Sequence, residues 1–350
     1  MKKQLLYLSL IAATLFLSSC DKEGGTDDGF DYSAQITTSG DVILATYADL
    51  DQKVTNLAST LAALEANPTQ QNLEASRQAW REAREPWEKA EGFLFGPVDQ
   101  QGIDPAIDSW PVNVVDLNAV LASSAALNAS YINTLEGTLK GFHTIEWLLF
   151  GETGDKAIGS FTAREFEYLA GCSETLQQAT AQLYDAWAPE GGNFYNTLAT
   201  AGSGSAVYVS QKAALEEIIN GLVTIADEVA NGKINDPFTQ QNLALEESRF
   251  SANSKADFAD NIRSIKNIWL GGYNTESANG ISSVIKEKNA DLDARVKTHI
   301  DEAVSAIENI PGTFSAAIFN NQAEVQNAQD KVRSLQEVLQ SEVLPFISNL

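Results

Sequence analysis

DVILATYADLDQKVTNLASTLAALEANP (residues 41–68) sets apolar side chains at Leu44, Tyr47, Leu50, Val54, Leu57, Leu61 and Leu64, each three or four positions from the last. That spacing is one face of an amphipathic α-helix, and Asn67-Pro68 ends it. Thr69 begins a second pattern through Leu73, Trp80, Ala83, Trp87 and Ala90. A connection as short as Asn67-Pro68 makes the two helices antiparallel neighbours, a helical hairpin. Pro86, inside the second pattern, is expected to kink it, because its ring removes a donor and crowds the preceding turn.

Beyond the hairpin, periodicity lapses from Gly92 to Pro111, where Gly96-Pro97, Gly102, Asp104-Pro105 and Trp110-Pro111 punctuate a long irregular segment. Segments of this kind inside compact domains are often functional. Helical patterns return over 112–127, 131–150 and 161–187, and Pro189-Glu190-Gly191-Gly192 follows the last of them. Further helices are expected over 207–229, ended by Asn235-Asp236-Pro237, and over 255–270, 280–309 and 322–347. No convincing strand alternation interrupts them. The expected fold is all-α, with four or so helices in each half: an N-terminal helical-bundle domain over 36–190 and a C-terminal one over 191–350.

The start of the chain reads as an address. Lys2 and Lys3 precede an apolar run from Leu5 to Phe16 that is short for a membrane span, and Leu17-Ser18-Ser19-Cys20 follows. Residues 1–19 are expected to be a lipoprotein signal peptide, with Cys20 carrying the lipid that anchors the chain in a membrane. An ordinary secretory signal is the plainer alternative. Residues 20–35, acidic and glycine-rich, read as a flexible tether. The expected location is the cell envelope, facing the periplasm or exposed at the surface. Cys172 is then the one cysteine left for pairing, so no intramolecular disulfide is available and stability must come from packing. The formal net charge is −24, and loss of Lys2 and Lys3 with a leader makes it more negative. Such a surface repels phosphate backbones, which argues against nucleic acid as a partner. It is attractive to cations, though solubility alone would also account for it.

One stretch carries ionisable groups in an apolar setting. Gly141-Phe142-His143-Thr144-Ile145-Glu146 runs on into Trp147-Leu148-Leu149-Phe150 and stops at Gly151. Positions three apart share a helix face, so His143 and Glu146 project side by side, and the apolar continuation places them inside the protein. An imidazole and a carboxylate so placed make half a metal site, an acid/base pair or a hydrogen-bonded structural pair. The chain has two histidines, and the other, His299, lies in a charged stretch that reads as surface helix. A site on His143 must therefore be completed by carboxylates or water. Glu91, at the end of the second helix, and Asp104 and Asp108, in the irregular segment, are the candidates, although a helix-end charge and a turn former are their plainer readings. One nitrogen with two or three carboxylates suits iron or another borderline-to-hard divalent ion better than zinc. Zinc peptidases of the His-Glu-x-x-His type need a second histidine that is missing here, and Cys172 lacks one for a thiol mechanism. Trp80, Arg81, Arg84 and Trp87 read as packing and salt bridges of the hairpin. If Arg84 or Trp110 instead faces the irregular segment, it would orient a ligand carboxylate.

The ordered set Trp80-x-x-x-Arg84-x-x-Trp87-x-x-x-Glu91-x-Phe93-x-Phe95-Gly96-Pro97, Asp104-Pro105-x-Ile107-Asp108-x-Trp110-Pro111 and Gly141-x-His143-x-x-Glu146 resembles the imelysin-like proteins, also called the M75 peptidase family. Glu247-Ser248-Arg249-Phe250-Ser251, Asp257-Phe258 and Trp269-Leu270-Gly271-Gly272-Tyr273 are similar to that family's second half. The resemblance implies two pseudo-repeated helical bundles, export or lipid anchoring, and a site at their junction. It implies a role in iron uptake or regulation, with a metal ion or small iron-bearing ligand bound and a protein partner in uptake. Carried over residue by residue, it makes Glu91, Asp108, His143 and Glu146 the metal ligands, with Asp104 next and Arg84, Trp110, Glu247 and Ser251 around them. Part of the family is classed as peptidases, so a metallopeptidase is one alternative. A non-metal ligand-binding or interaction protein with a structural His-Glu pair is the other.

Overall fold

The computed structural model describes residues 31–350, so the leader, Cys20 and most of the tether lie outside the described residues. The main helices are α1 (Ser33–Ala66), α2 (Gln70–Glu88), α3 (Gly141–Phe150), α4 (Ala163–Trp187), α5 (Gln211–Glu228), α6 (Ser254–Leu270), α7 (Ala290–Glu308) and α8 (Gln322–Val338). No strand occurs among the described residues, and none of their helices is long and apolar enough to cross a membrane. The class is all-α.

α1 and α2 form the hairpin read from residues 41–68, with Thr69 capping α2 by accepting from the Asn72 amide at 3.2 Å. α1 starts at Ser33, eight residues before Asp41, and takes in residues 33–35. Its first turns are polar, but Ser39 Oγ returns a hydrogen bond to the Gln35 carbonyl at 2.9 Å, and Gly40 lets the Tyr195 ring lie against the helix. Pro86 falls in the last turn of α2, and the chain passes at once into a tight 3₁₀ turn at Glu91–Phe93. The helix expected over 131–150 is broken into Ala129–Ile132, a 3₁₀ turn at Gly137–Leu139, and α3. The chain does not stop at Asn235-Asp236-Pro237 either. A π-helical turn, Val229–Ile234, carries α5 on into a short helix, Asn235–Gln240. A second π turn, Leu339–Val343, likewise precedes Pro345. In both places a widened turn leads into a proline that an unbroken α-helix would not accept. Asn289 divides the expected 280–309 helix, capping α7 through the Leu292 amide at 3.1 Å.

α1 packs along α2 and α4, and α3 lies on α2 and α4; α7 packs on α6 and α8, and α5 on α6 and α8. These two groups of helices meet where α2 lies on α6 and where α5 touches the turn at Glu91–Phe93. The buried apolar side chains form one continuous cluster from Tyr32 to Ile347. Trp80 ties α2 to α3, its indole N–H donating to the Phe142 carbonyl at 2.9 Å.

The C-terminus of α3 leaves four carbonyls to satisfy. The Gly151 amide takes that of Trp147 at 2.8 Å and the Lys156 ammonium that of Leu148 at 2.9 Å. Arg77 takes that of Leu149 at 2.9 Å and the Lys156 amide that of Phe150 at 3.0 Å. Two cations at a helix C-terminus also complement its dipole. Arg77→Met is expected to lower the unfolding free energy by about 1.5–3 kcal/mol in urea titration, since it leaves buried carbonyls without a charged donor.

Candidate metal centre

Where the two groups of helices meet, seven segments bring polar side chains into one buried cluster. α2 contributes Arg84 and Glu88, one turn apart on one face, and the turn after it contributes Glu91. The irregular segment contributes Asp108, and α3 contributes His143 and Glu146. The π turn adds Lys233, and residues 246–251 with α6 add Glu247, Ser251, Asp257 and Asn261. All are buried, with Arg84, Glu88, Glu146 and Asn261 at 0 % exposure.

Gly141 explains how Asp108 reaches His143. Its φ is 73°, and a Cβ there would lie 2.3 Å from the Ile107 carbonyl oxygen. Glycine alone accepts both the backbone angle and the contact. The start of α3 is thereby pressed against the residue before Asp108, and His143 Nε2 comes within 3.0 Å of Asp108 Oδ1. Glu146 holds the other side of the ring: its Oε2 lies 3.2 Å from His143 Nδ1, while its Oε1 accepts from the Ser251 amide at 2.8 Å and hydroxyl at 2.7 Å.

Arg84 sits below this pair. It donates to Asp108 and Glu88, reaches Glu247 Oε1 at 3.2 Å, lies 3.7 Å from Asp257 Oδ1, and stacks 5.2 Å from the Phe142 ring centre. Trp87 adds an indole N–H to Asp108 Oδ2 at 2.6 Å. Lys233 Nζ lies 2.6 Å from Glu91 Oε2, 3.0 Å from Glu247 Oε1 and 3.5 Å from Glu88 Oε2, with the Trp110 ring centre 5.5 Å away. The Asn261 amide donates to Glu88 at 2.7 Å and to Glu91 at 2.8 Å.

Buried carboxyl groups outnumber buried cations here, and the proton affinities record it. Burial, with Glu88 and Asp108 nearby, pushes Glu247 up to about 7 despite Lys233 and Arg84. Burial and the neighbouring carboxylates also hold Glu91 and Asp257 well above the usual range. Burial and Asp108 push Asp104 up to about 6. Asp108 goes the other way: burial opposes its charge, but Arg84 and His143 hold it well below the usual carboxylate range. Burial disfavours the His143 cation, yet Asp108 and Glu146 outweigh this and push it up to about 10.

Two sets of ligand atoms lie within 4.8 Å of one another: Asp108, His143 and Glu247, and Glu88, Glu91, Asp108 and Glu247. Glu247 Oε2 is buried without a hydrogen-bond partner, whereas His143 Nε2 has the Asp108 contact at 3.0 Å. Of the ligands expected from sequence, His143, Asp108 and Glu91 fall in these sets. Glu146 lies beside them with its oxygens turned to His143 Nδ1 and Ser251, and half-buried Asp104 belongs to neither. Glu247, expected around the ligands, belongs to both. Arg84 faces Asp108 and not the solvent side of the hairpin, Ser251 holds Glu146, and Trp110 covers Lys233.

Sequence reasoning missed Glu88, Trp87 as a donor, Lys233, Asp257 and Asn261. The signal for the last two was present. Asp257, Asp260, Asn261, Ser264 and Asn267 form a stripe on α6 of short polar side chains without a lysine or arginine, and all are buried. A solvated helix face carries longer charged residues.

The class these features define is an all-α protein with an imidazole and carboxylates buried at a helical junction. A family model described as Peptidase_M75: Imelysin matches residues 43–341, and the chain belongs to that family. It is 29% identical over 311 residues to "Iron-regulated protein A" of Synechococcus elongatus, covering 87% of this chain and 84% of that one. Among solved structures, a protein of Parabacteroides distasonis assigned as an iron-regulated protein A precursor superposes with a TM-score of 0.83 at 27% identity, over 90% of this chain and 94% of its own. An imelysin-like protein of Psychrobacter arcticum shares the fold at TM-score 0.74 and 14% identity, over 91% and 97%.

Gly141→Ala is expected to cost about 3 kcal/mol or more, because backbone strain adds to the contact with Ile107. Gly102→Ala, at a φ of 62° with open space around it, is the control and should cost about 1–2 kcal/mol. Equilibrium urea unfolding of both variants measures the difference.

Proposed function

We propose that this chain is a cell-envelope protein that binds iron, or a small iron-bearing ligand, as cargo at the cluster between α2, α3 and α6, in iron uptake or regulation. The observation that carries the reading is the meeting of Asp108, His143 and Glu247 within 4.8 Å, with Glu247 Oε2 lacking a hydrogen-bond partner. Buried polar atoms of native proteins are rarely left so, and its want of a partner fits a ligand that supplies one. The kinship to a protein named for iron regulation supports the choice of metal.

His143 Nε2, Asp108 and Glu247 would hold the ion, with Glu88 and Glu91 at its other side. Glu146 would fix the imidazole through Nδ1 and keep Nε2 for the ion, as the outer partner of a ligand histidine does. A mixed set of one imidazole and several carboxylates suits ferrous or ferric iron, and the thiolate that would favour zinc is absent from it. Binding is favoured over peptide hydrolysis because the groups a metallopeptidase would use are sealed: His143 is 1 % exposed and Glu247 3 %. The leader pattern ending at Cys20 supports a lipid anchor that keeps the cargo site at the envelope.

Isothermal titration under anaerobic conditions tests the reading, with Fe(II) compared against Zn(II). Fe(II) is expected to bind more tightly, His143→Ala to abolish binding, and Glu146→Gln to weaken it by roughly 10- to 100-fold. If the wild-type chain takes up neither ion, the iron reading is lost and His143–Glu146 stands as a structural pair.

The same titration should depend on pH. His143 is a cation in the metal-free protein at neutral pH, with its affinity for protons raised to about 10, and a ligand imidazole must be neutral. Binding is therefore expected to release protons and to tighten as pH rises from 6 to about 8. Measured heats in two buffers of different ionisation enthalpy would give the proton count, and a count of zero would contradict ligation through His143.

A further inference from the structure

The second ligand set, made of carboxylates alone, already holds a positive charge that belongs to the chain. Lys233 Nζ is within 3.5 Å of Glu88, Glu91 and Glu247, three of its four members. The lysine comes from the π turn at Val229–Ile234, and a π turn inside a helical run is a local distortion found often at functional positions. We propose that the Lys233 ammonium is the resident counter-ion of this carboxylate cradle, and that a divalent cation loads by displacing it. Lys233 then sets both the affinity of the site and its selection for charge. The inference rests on the cargo reading above and adds the residue against which the cargo competes.

Room and charge both support an exchange. The four carboxylate oxygens lie within 4.8 Å of one another, so a cation bound to them at about 2.0–2.6 Å would take the space and the lone pairs that the ammonium now uses. Two cations at that separation would also repel each other strongly in a buried site. A monovalent ion gains no charge over the tethered ammonium it would replace. A divalent ion adds one unit where Glu88, Glu91, Asp108 and Glu247 converge, and it meets in addition the unpartnered Glu247 Oε2.

Lys233 also has somewhere to go. Asp104 and Glu228, both half-buried, lie within electrostatic reach of its ammonium. They would hold the displaced charge beside the Trp110 ring, whose centre lies 5.5 Å from the ammonium. Asp104, which belongs to neither ligand set, thereby acquires a role as the group that receives the lysine.

Mn(II), a divalent probe stable in air, tests the exchange on the intact chain by titration followed with electron paramagnetic resonance. Lys233→Met keeps the stem length and removes the charge. It is expected to bind Mn(II) tighter than wild type by roughly tenfold or more. Its metal-free melting temperature should fall, and Mn(II) should raise it further than it raises that of wild type. Binding by Lys233→Met alone, with none by wild type, would also support the exchange. Equal or weaker binding by the variant, with wild-type binding intact, overturns the exchange and leaves the metal site standing. Binding by neither chain, both folded, overturns the exchange and the cargo reading together.

Should Lys233→Met fail to fold, amine acetylation of wild type read by peptide mass spectrometry decides the same question. Lys233 is expected to be protected without Mn(II) and to become reactive at saturation. Protection in both states would mean that the ion sits on the His143 side with the ammonium undisturbed, which overturns the proposal.

Discussion

The structure depends on one guanidinium. Arg84 has no exposed surface, yet its donors face carboxylates from four places in the chain: Glu88 one turn along α2, Asp108 in the irregular segment, Glu247 before α6, and Asp257 on α6. Burying such a charge costs several kcal/mol unless its donors are satisfied, and the planar fork of arginine directs its donors to several carboxylates at once. The helices of α2 and α6 approach each other through this side chain. Asp257 and Glu247 would be stranded in a dry interior without it, and Asp108 would lose the charge that keeps it ionised.

Around that centre the three named residues of Gly141-x-His143-x-x-Glu146 have separate tasks. Gly141 allows the backbone contact with Ile107 that delivers Asp108. His143 presents Nε2 to the cluster, and Glu146 spends its own oxygens on the far side of the ring and on Ser251. The helix that carries them is only ten residues long, but both its ends are tied, by Gly141 at one and by Arg77 and Lys156 at the other. A short helix tied at both ends is a stiff mount, and stiffness is what a ligand geometry requires.

Much of this was legible in the sequence, and the rest was hidden for physical reasons. The hairpin was legible because α1 and α2 each bury one apolar stripe. The start of α1 was not, because Ser39 and Gly40 read as a loop until a carbonyl four residues back and the Tyr195 ring are seen to use them. Asn235-Asp236-Pro237 reads as a stop by local rules, and the π turn before it overrides them. His143, Asp108 and Glu91 were legible as chemistry in an apolar or irregular setting. Lys233 was not, since a single lysine between Gly232 and Ile234 carries no periodic signal and its burial follows only from tertiary packing. The short polar stripe of α6, which lacks the longer charged residues of a solvated face, is the seam against α2 and the 3₁₀ turn at Glu91–Phe93.

The cluster's surplus of carboxylates then has a consequence for the whole fold. Glu247, Glu91 and Asp257 hold protons more tightly than free carboxylic acids because each is buried among like charges. A species that binds the folded state stabilises it by mass action, and a cation bound at this cluster would do so by taking the place of those protons. The contacts of this cluster are the ones that join α2 to α6, so a cation held there would act directly on the seam between the two groups of helices, and that coupling would follow from placing more buried acids than bases where they meet.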